Sequence, residues 1–130
     1  MPLLRISLRR GKPAAYRQAI LNGLYLAMHD TFNVPEDDRF MLIQEHDEDN
    51  FHYSKSYLGV ARSDDLVIIQ FTINNTRTLE QKKALYRSVV ERLTANPGLR
   101  PEDIFISLVE VVPENWSMGN GLAQYAPQTA

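Results

Sequence analysis

The sequence predicts an α+β fold: two consecutive β-α-β units forming a four-stranded sheet with two helices on one face, plus a short hairpin and a C-terminal tail. Three observations predict it. The order strand, helix, strand occurs twice, over about 2–46 and 66–112. Each helical segment repeats apolar residues every four positions. The second unit opens on LVIIQFTI (66–73), the most β-branched run in the chain, as a buried strand would. The halves share no residue-level identity, so the repeat is one of architecture.

Pro2 to Leu8 (PLLRISL) reads as the first strand, and Arg9, Arg10 and Gly11 as a turn. From Pro13 to Phe32 the residues Tyr16, Ile20, Leu24 and Met28 make one helical face. Pro13 suits a first turn, and the helix is expected to stop before Asn33-Val34-Pro35. Phe40 to Gln44 (FMLIQ) is expected as the second strand, His46 to Asn50 (HDEDN) as a charged loop, and Phe51 to Val60 as a hairpin. After the third strand, Thr78 with Gln81 has the form of a capping box. Leu85, Val89 and Leu93 then give a helical face up to Asn96-Pro97-Gly98, and Ile104 to Val112 makes the fourth strand. Right-handed crossovers place both helices on one face. The other face is left uncovered, which calls for a partner subunit.

Composition narrows the function. The 130 residues suit one domain, 1–130. With 44% hydrophobic and 23% charged residues and a net charge of −2, the composition is that of an ordinary globular chain with no basic nucleic-acid footprint. No cysteine is present, which excludes disulfides, thiolate metal sites and cysteine nucleophiles. His29, His46 and His52 lack metal-site spacing and read as solvated. No apolar stretch approaches the roughly 20 residues that span a bilayer, and the N-terminus lacks a signal-peptide layout, so a cytoplasmic location is expected.

Two positions point to chemistry. Methionine before proline is a start that methionine aminopeptidase trims. Trimming would leave Pro2 with a free secondary amine able to take and give a proton near neutral pH once burial or a nearby cation lowers its pKa. Against this, proline is also tolerated as the first residue of a strand. In the second unit, Asn74-Asn75-Thr76-Arg77 follows a strand and leads into a helix N-terminus, where free N–H groups favour anions and Arg77 offers a two-pronged donor for a carboxylate. Arg77 also reads as a solvated surface residue.

MPLL at the start, VPEDDRF (34–40), TRTLEQKK (76–83), PEDIFISLVE (101–110) and WSMGNGLAQY (116–125) together resemble the tautomerase superfamily, in the neighbourhood of malonate semialdehyde decarboxylase and cis-3-chloroacrylic acid dehalogenase. The resemblance covers nearly the whole chain. It implies a cofactor-free enzyme, without a metal, that acts through its N-terminal proline on a small oxo or unsaturated carboxylic acid, and a homotrimer. It further implies Pro2 as acid or base, Asp38 as its partner in activating water or fixing its protonation, Arg77 as the carboxylate anchor, and Trp116, Met118 and Tyr125 as a hydrophobic wall. Asn75 stands where the family has a first arginine, which weakens the carboxylate clamp and removes one influence lowering the proline pKa. Keto-enol tautomerisation, decarboxylation and hydration all remain open. So does a non-catalytic oligomeric binding protein that retains the fold.

Read from the residues alone, Asp38 beside Arg39 suits a surface pair or a turn, Trp116 a packing anchor and Tyr125 a frayed tail. Asp47 to Asp49 read as loop charge, and Arg9 and Arg10 as a solvated turn.

Overall fold

The computed structural model describes residues 2–127. Strand β1, Pro2–Arg9, alternates in burial: Leu4, Ile6 and Leu8 point into the core while Arg5 is exposed. A turn through Gly11, at φ 123°, leads into helix α1, Ala14–Phe32. The helix buries Ile20, Leu24 and Met28, as the four-residue repeat requires, and ends on Asn33 in the left-handed conformation (φ 55°, ψ 36°). Asn33 N–H donates to Met28 O there, and Pro35 prevents the helix from continuing.

Strand β2, Met41–His46, starts one residue later and runs two residues further than FMLIQ suggests. Strand β3, Val67–Asn74, carries the β-branched run. Helix α2, Leu79–Ala95, opens on the predicted capping box: Thr78 Oγ1 accepts from Gln81 N–H (3.1 Å), and Gln81 Oε1 accepts from Thr78 N–H (2.9 Å). Strand β4 is Ile104–Val111.

The sheet order is β2-β1-β3-β4. Both outer pairs are parallel, each closing one β-α-β unit, and the central β1–β3 pair is antiparallel. The buried side chains of β1, β3 and the two helices form one core, in which Leu4, Ile6, Ile69 and Phe71 meet Leu24, Leu85, Val89 and Leu93. The helices approach closely at Gly23, where an added Cβ would lie 2.9 Å from Leu93 Cδ2. On the opposite face Leu42, Phe105 and Val109 stand exposed, the uncovered surface that the apolar strands predict.

The expected hairpin at Phe51 to Val60 does not form; the segment contains no strand. Local side-chain bonds compete with cross-strand pairing here. Ser54 Oγ accepts from Ser56 and Tyr57 N–H, and Arg62 Nη1 donates to the carbonyls of Ser54, Tyr57 and Val60. Phe51 is buried and stacks on His46 with ring centroids 5.5 Å apart, so His46 packs against the insert instead of standing in solvent. Arg9 and Arg10 likewise do more than decorate a turn. Arg9 pairs with Glu48 (3.5 Å) and Asp64 (3.4 Å), and Arg10 with Asp47 (3.0 Å), pinning the acidic loop to the end of β1. Asp103, fully buried, accepts from Ser63 N–H (2.7 Å) and Ser63 Oγ (2.6 Å), tying the start of β4 to the approach to β3. Among the described residues no helix is long and apolar enough to cross a membrane.

Candidate active site

Sheet topology alone brings four distant segments to one edge. Because β1 and β2 run parallel, their starts lie together, and Leu4 N–H donates to Phe40 O at 3.0 Å. Because β1 and β3 run antiparallel, Pro2 faces Ile73 at the end of β3. Because β3 and β4 run parallel, the end of β3 meets the end of β4, where Asn75 N–H donates to Val111 O at 2.9 Å. Pro2, the 38–40 turn, the 74–77 loop and the 112–118 segment therefore share one corner.

Pro2 is buried as the first residue of β1. The expected trimming of Met1 concerns a residue that lies outside those described. Asp38 sits in the turn after α1, where its N–H donates to Pro35 O (3.1 Å). Arg39 braces that turn: its Nε donates to Glu36 O (3.0 Å), and its guanidinium lies 3.6 Å from the ring centroid of Tyr25. Burial raises the Asp38 carboxyl above its ordinary pKa and Asp37 pushes the same way, while the positive charge of Arg77 opposes them.

Arg77 is half-buried and already engaged. Nη2 donates to Phe32 O (3.2 Å), Nη1 to Thr76 Oγ1 (3.0 Å), and the guanidinium lies 4.8 Å from the Phe32 ring centroid. Phe32 is the last residue of α1, so its carbonyl is one of those a helix end leaves without an intrahelical partner. Arg77 supplies the donor and the favourable cation. Burial lowers the guanidinium pKa and Asp38 raises it, and arginine stays charged at neutral pH. Of the five N–H donors of a guanidinium, those not used for Phe32 and Thr76 remain for an anion. Asn75, in contrast, is exposed, with its backbone tied to β4.

Trp116 is half-buried, and its indole Nε1 donates to Asn74 Oδ1 at 2.7 Å. With Leu3, Phe40, Ser117 and Met118 it lines a cleft of about 190 Å³ on the open side of the sheet. Gly119 (φ 134°) and Gly121 (φ 69°) turn the chain back after it, in conformations that favour glycine. Tyr125 is not among the residues lining this cleft; it is 43% exposed. Its neighbour Gln124 holds the tail, accepting from Met118 N–H (2.9 Å) and donating to Gly119 O (3.1 Å). Leu3, Phe40 and Asn74 are site neighbours that sequence reasoning does not single out. An exposed aromatic heading a strand, at Phe40, was the available signal.

A larger cleft of about 270 Å³ lies at the other end of the sheet, among Tyr53, Tyr57, Arg62, Ile68 and Phe105. No carboxylate lines it, and Arg62 spends donors on three loop carbonyls. The smaller cleft is the better candidate, because Leu3 and Phe40 in its lining are the chain neighbours of Pro2 and Arg39, at the corner where Asp38 and Arg77 influence each other's charge. Among the described residues, no three histidine, aspartate or glutamate side chains gather in a way that could hold a metal.

Comparisons with known proteins identify the family. Two family models, each described as tautomerase enzyme, match residues 38–119 and 2–61. The chain is 44% identical to the probable tautomerase YusQ of Bacillus subtilis (strain 168), over 95% of this chain and 98% of that one. It is 33% identical to the probable tautomerase YrdN of the same organism, over 96% of each. Among solved structures it is similar to malonate semialdehyde decarboxylase, a protein with decarboxylase and hydratase activities, at TM-score 0.89 and 30% identity over 95% of each chain.

Proposed function

We propose, from the premise that this chain belongs to the tautomerase family, that Pro2 is the proton carrier of a cofactor-free enzyme acting on a small oxo acid. The observation that carries the reading is the meeting of Pro2, Asp38, Arg77 and the Trp116 cleft at one sheet corner, drawn from four separate parts of the sequence.

The substrate carboxylate binds the free N–H groups of Arg77, a charge-assisted fork that fixes orientation. The carbon next to the carbonyl then lies by the Pro2 nitrogen, with the rest of the molecule against Leu3, Phe40, Trp116 and Met118. In tautomerisation the neutral amine takes a proton from that carbon. The C–H pair moves into the new C=C bond, the carbonyl oxygen becomes the enol oxygen, and reprotonation completes the exchange. Asp38, opposite Arg77, fixes the protonation of the amine. The apolar cleft lowers the local dielectric and strengthens both charges. Asn75 in place of a second cation removes one influence lowering the amine pKa, so burial at the start of β1 is what favours the neutral form.

Decarboxylation or hydration is a second reading, favoured by the 30% identity to malonate semialdehyde decarboxylase. A protonated Pro2 would then polarise a 3-oxo carbonyl while carbon dioxide leaves. We further propose a homotrimer that covers the open sheet face, and a cytoplasmic location.

The deciding experiment is turnover of phenylenolpyruvate and malonate semialdehyde by protein whose intact mass establishes that Pro2 is the first residue. Turnover of either that is lost in Pro2→Ala supports the enzyme. A chain that keeps Met1 while fully active, or a Pro2→Ala protein as active as wild type, would sink it. A 15N titration of the Pro2 nitrogen tells base from acid, since a pKa below about 7 favours tautomerisation and one well above 7 favours decarboxylation.

A further inference from the structure

We infer that Asn74 is a positioning residue that sets substrate selectivity by holding the indole of Trp116 as the wall of the cleft; this rests on the reading of that corner as the active site. Asn74 is the last residue of β3 and lies on the face away from the helices, with Gln70 and Thr72. Trp116 follows β4 by way of the short turn Pro113–Asn115, so nothing in the sheet ladder fixes its side chain. What reaches it is Asn74 Oδ1, 2.7 Å from Nε1. A half-buried indole with a satisfied N–H keeps one orientation; without the acceptor it must turn its N–H toward water or leave it unpaired. The wall it forms, with Phe40, Leu3 and Met118, is flat, apolar and partly aromatic. Such a wall fits an oxo acid with a planar apolar substituent, an aryl group above all, better than a short alkyl one.

Trp116 is the one tryptophan in the chain, so its fluorescence reports the contact directly. Exchange of the C3 protons for deuterium, followed by NMR with phenylpyruvate and with 2-oxobutanoate, measures selectivity with one readout. Asn74→Ala should raise KM for phenylpyruvate about tenfold with kcat changed less than threefold, and lower the ratio of kcat/KM between the two acids by a similar factor. It should also make Trp116 more accessible to acrylamide. Asn74→Asp keeps the acceptor and should restore the ratio, even if its added charge weakens both acids alike. Trp116→Phe keeps a ring but has no N–H, so adding Asn74→Ala to it should change the ratio no further. Should Asn74→Ala fail to fold, the Asn74→Asp and Trp116→Phe proteins carry the test. An Asn74→Ala protein with unaltered selectivity would overturn the inference whatever its fluorescence, as would a further loss of selectivity on adding Asn74→Ala to Trp116→Phe. Quenching of Trp116 by phenylpyruvate in a Pro2→Ala background separates this inference from the catalytic reading, because binding against the wall needs no proton transfer.

Discussion

Replacing Arg77 by alanine removes two things at once, and their sizes can be told apart. The first is structural. The Phe32 carbonyl loses its donor at 3.2 Å, and the Phe32 ring loses a cation at 4.8 Å. A net hydrogen bond contributes about 1 kcal/mol and an exposed cation–π contact about 0.5–1 kcal/mol. Together they predict a loss of about 1–2 kcal/mol and a melting temperature lower by roughly 3–10 °C. The second is functional. Hydrogen bonds from a guanidinium to a carboxylate contribute about 1.5–3 kcal/mol, which is roughly a 10- to 150-fold loss in kcat/KM. A domain that starts with about 5 kcal/mol or more remains over 95% folded after the structural loss, so unfolding cannot mimic the second effect. Arg77→Lys keeps the charge but not the planar fork, and should fall between, near a tenfold loss. The assay is phenylenolpyruvate ketonisation beside a thermal melt of each variant. An Arg77→Ala protein that melts lower yet turns over at the wild-type rate would show that this arginine only caps α1, and the carboxylate anchor would have to be sought elsewhere.

Three further outcomes follow from the same geometry. Pro2→Ala should lower kcat for phenylenolpyruvate by at least about 100-fold, because the primary amine it leaves after trimming differs in basicity and placement from the ring nitrogen; rates within threefold of wild type would contradict it. Burial holds the Asp38 carboxyl above its ordinary pKa of 3.8. A carboxyl raised on folding contributes most while neutral, below its unfolded pKa, and that contribution is lost as pH rises through the raised folded value. Asp38→Asn should therefore melt higher than wild type at pH 7, by a margin that shrinks toward pH 4, while activity falls; a margin that widens in acid would reverse the sign of the argument. Thr78→Ala removes one arm of the capping box and should cost about 1 kcal/mol in urea unfolding, with Thr78→Ser recovering most of it; an unchanged midpoint would mean that α2 does not depend on this cap.

Much of the fold could be read from local chemistry. The helices announced themselves by periodicity, and Thr78 with Gln81, Asn33 ahead of Pro35, and Asn96-Pro97 marked their ends. The 51–60 segment misled because its aromatic and apolar residues fit a strand equally well. What decides it is Arg62, whose reach back to the carbonyls of Ser54, Tyr57 and Val60 leaves no trace in any short window. At the site, Pro2, Asp38 and Arg77 could be nominated from their positions and from the family resemblance, but their meeting depends on the strand order β2-β1-β3-β4, a long-range property. Leu3 and Asn74 escaped for the same reason, since a residue on a pleat shows its purpose only once the neighbouring segment is known. Tyr125 was nominated by resemblance alone, and the hold of Gln124 on Met118 and Gly119 leaves it outside the cleft lining of the single chain.

The antiparallel join of β1 to β3 gives the protein two look-alike corners, one where β1 begins and one where β3 begins. Val67 holds at the second the station that Pro2 holds at the first, yet its nitrogen is locked in the middle of a polypeptide and has no basic lone pair to offer. Under the proposed function, doubling the scaffold did not double the reagent. Only the corner at the start of β1 could carry a free amine, and removal of Met1 would then be the step that arms it.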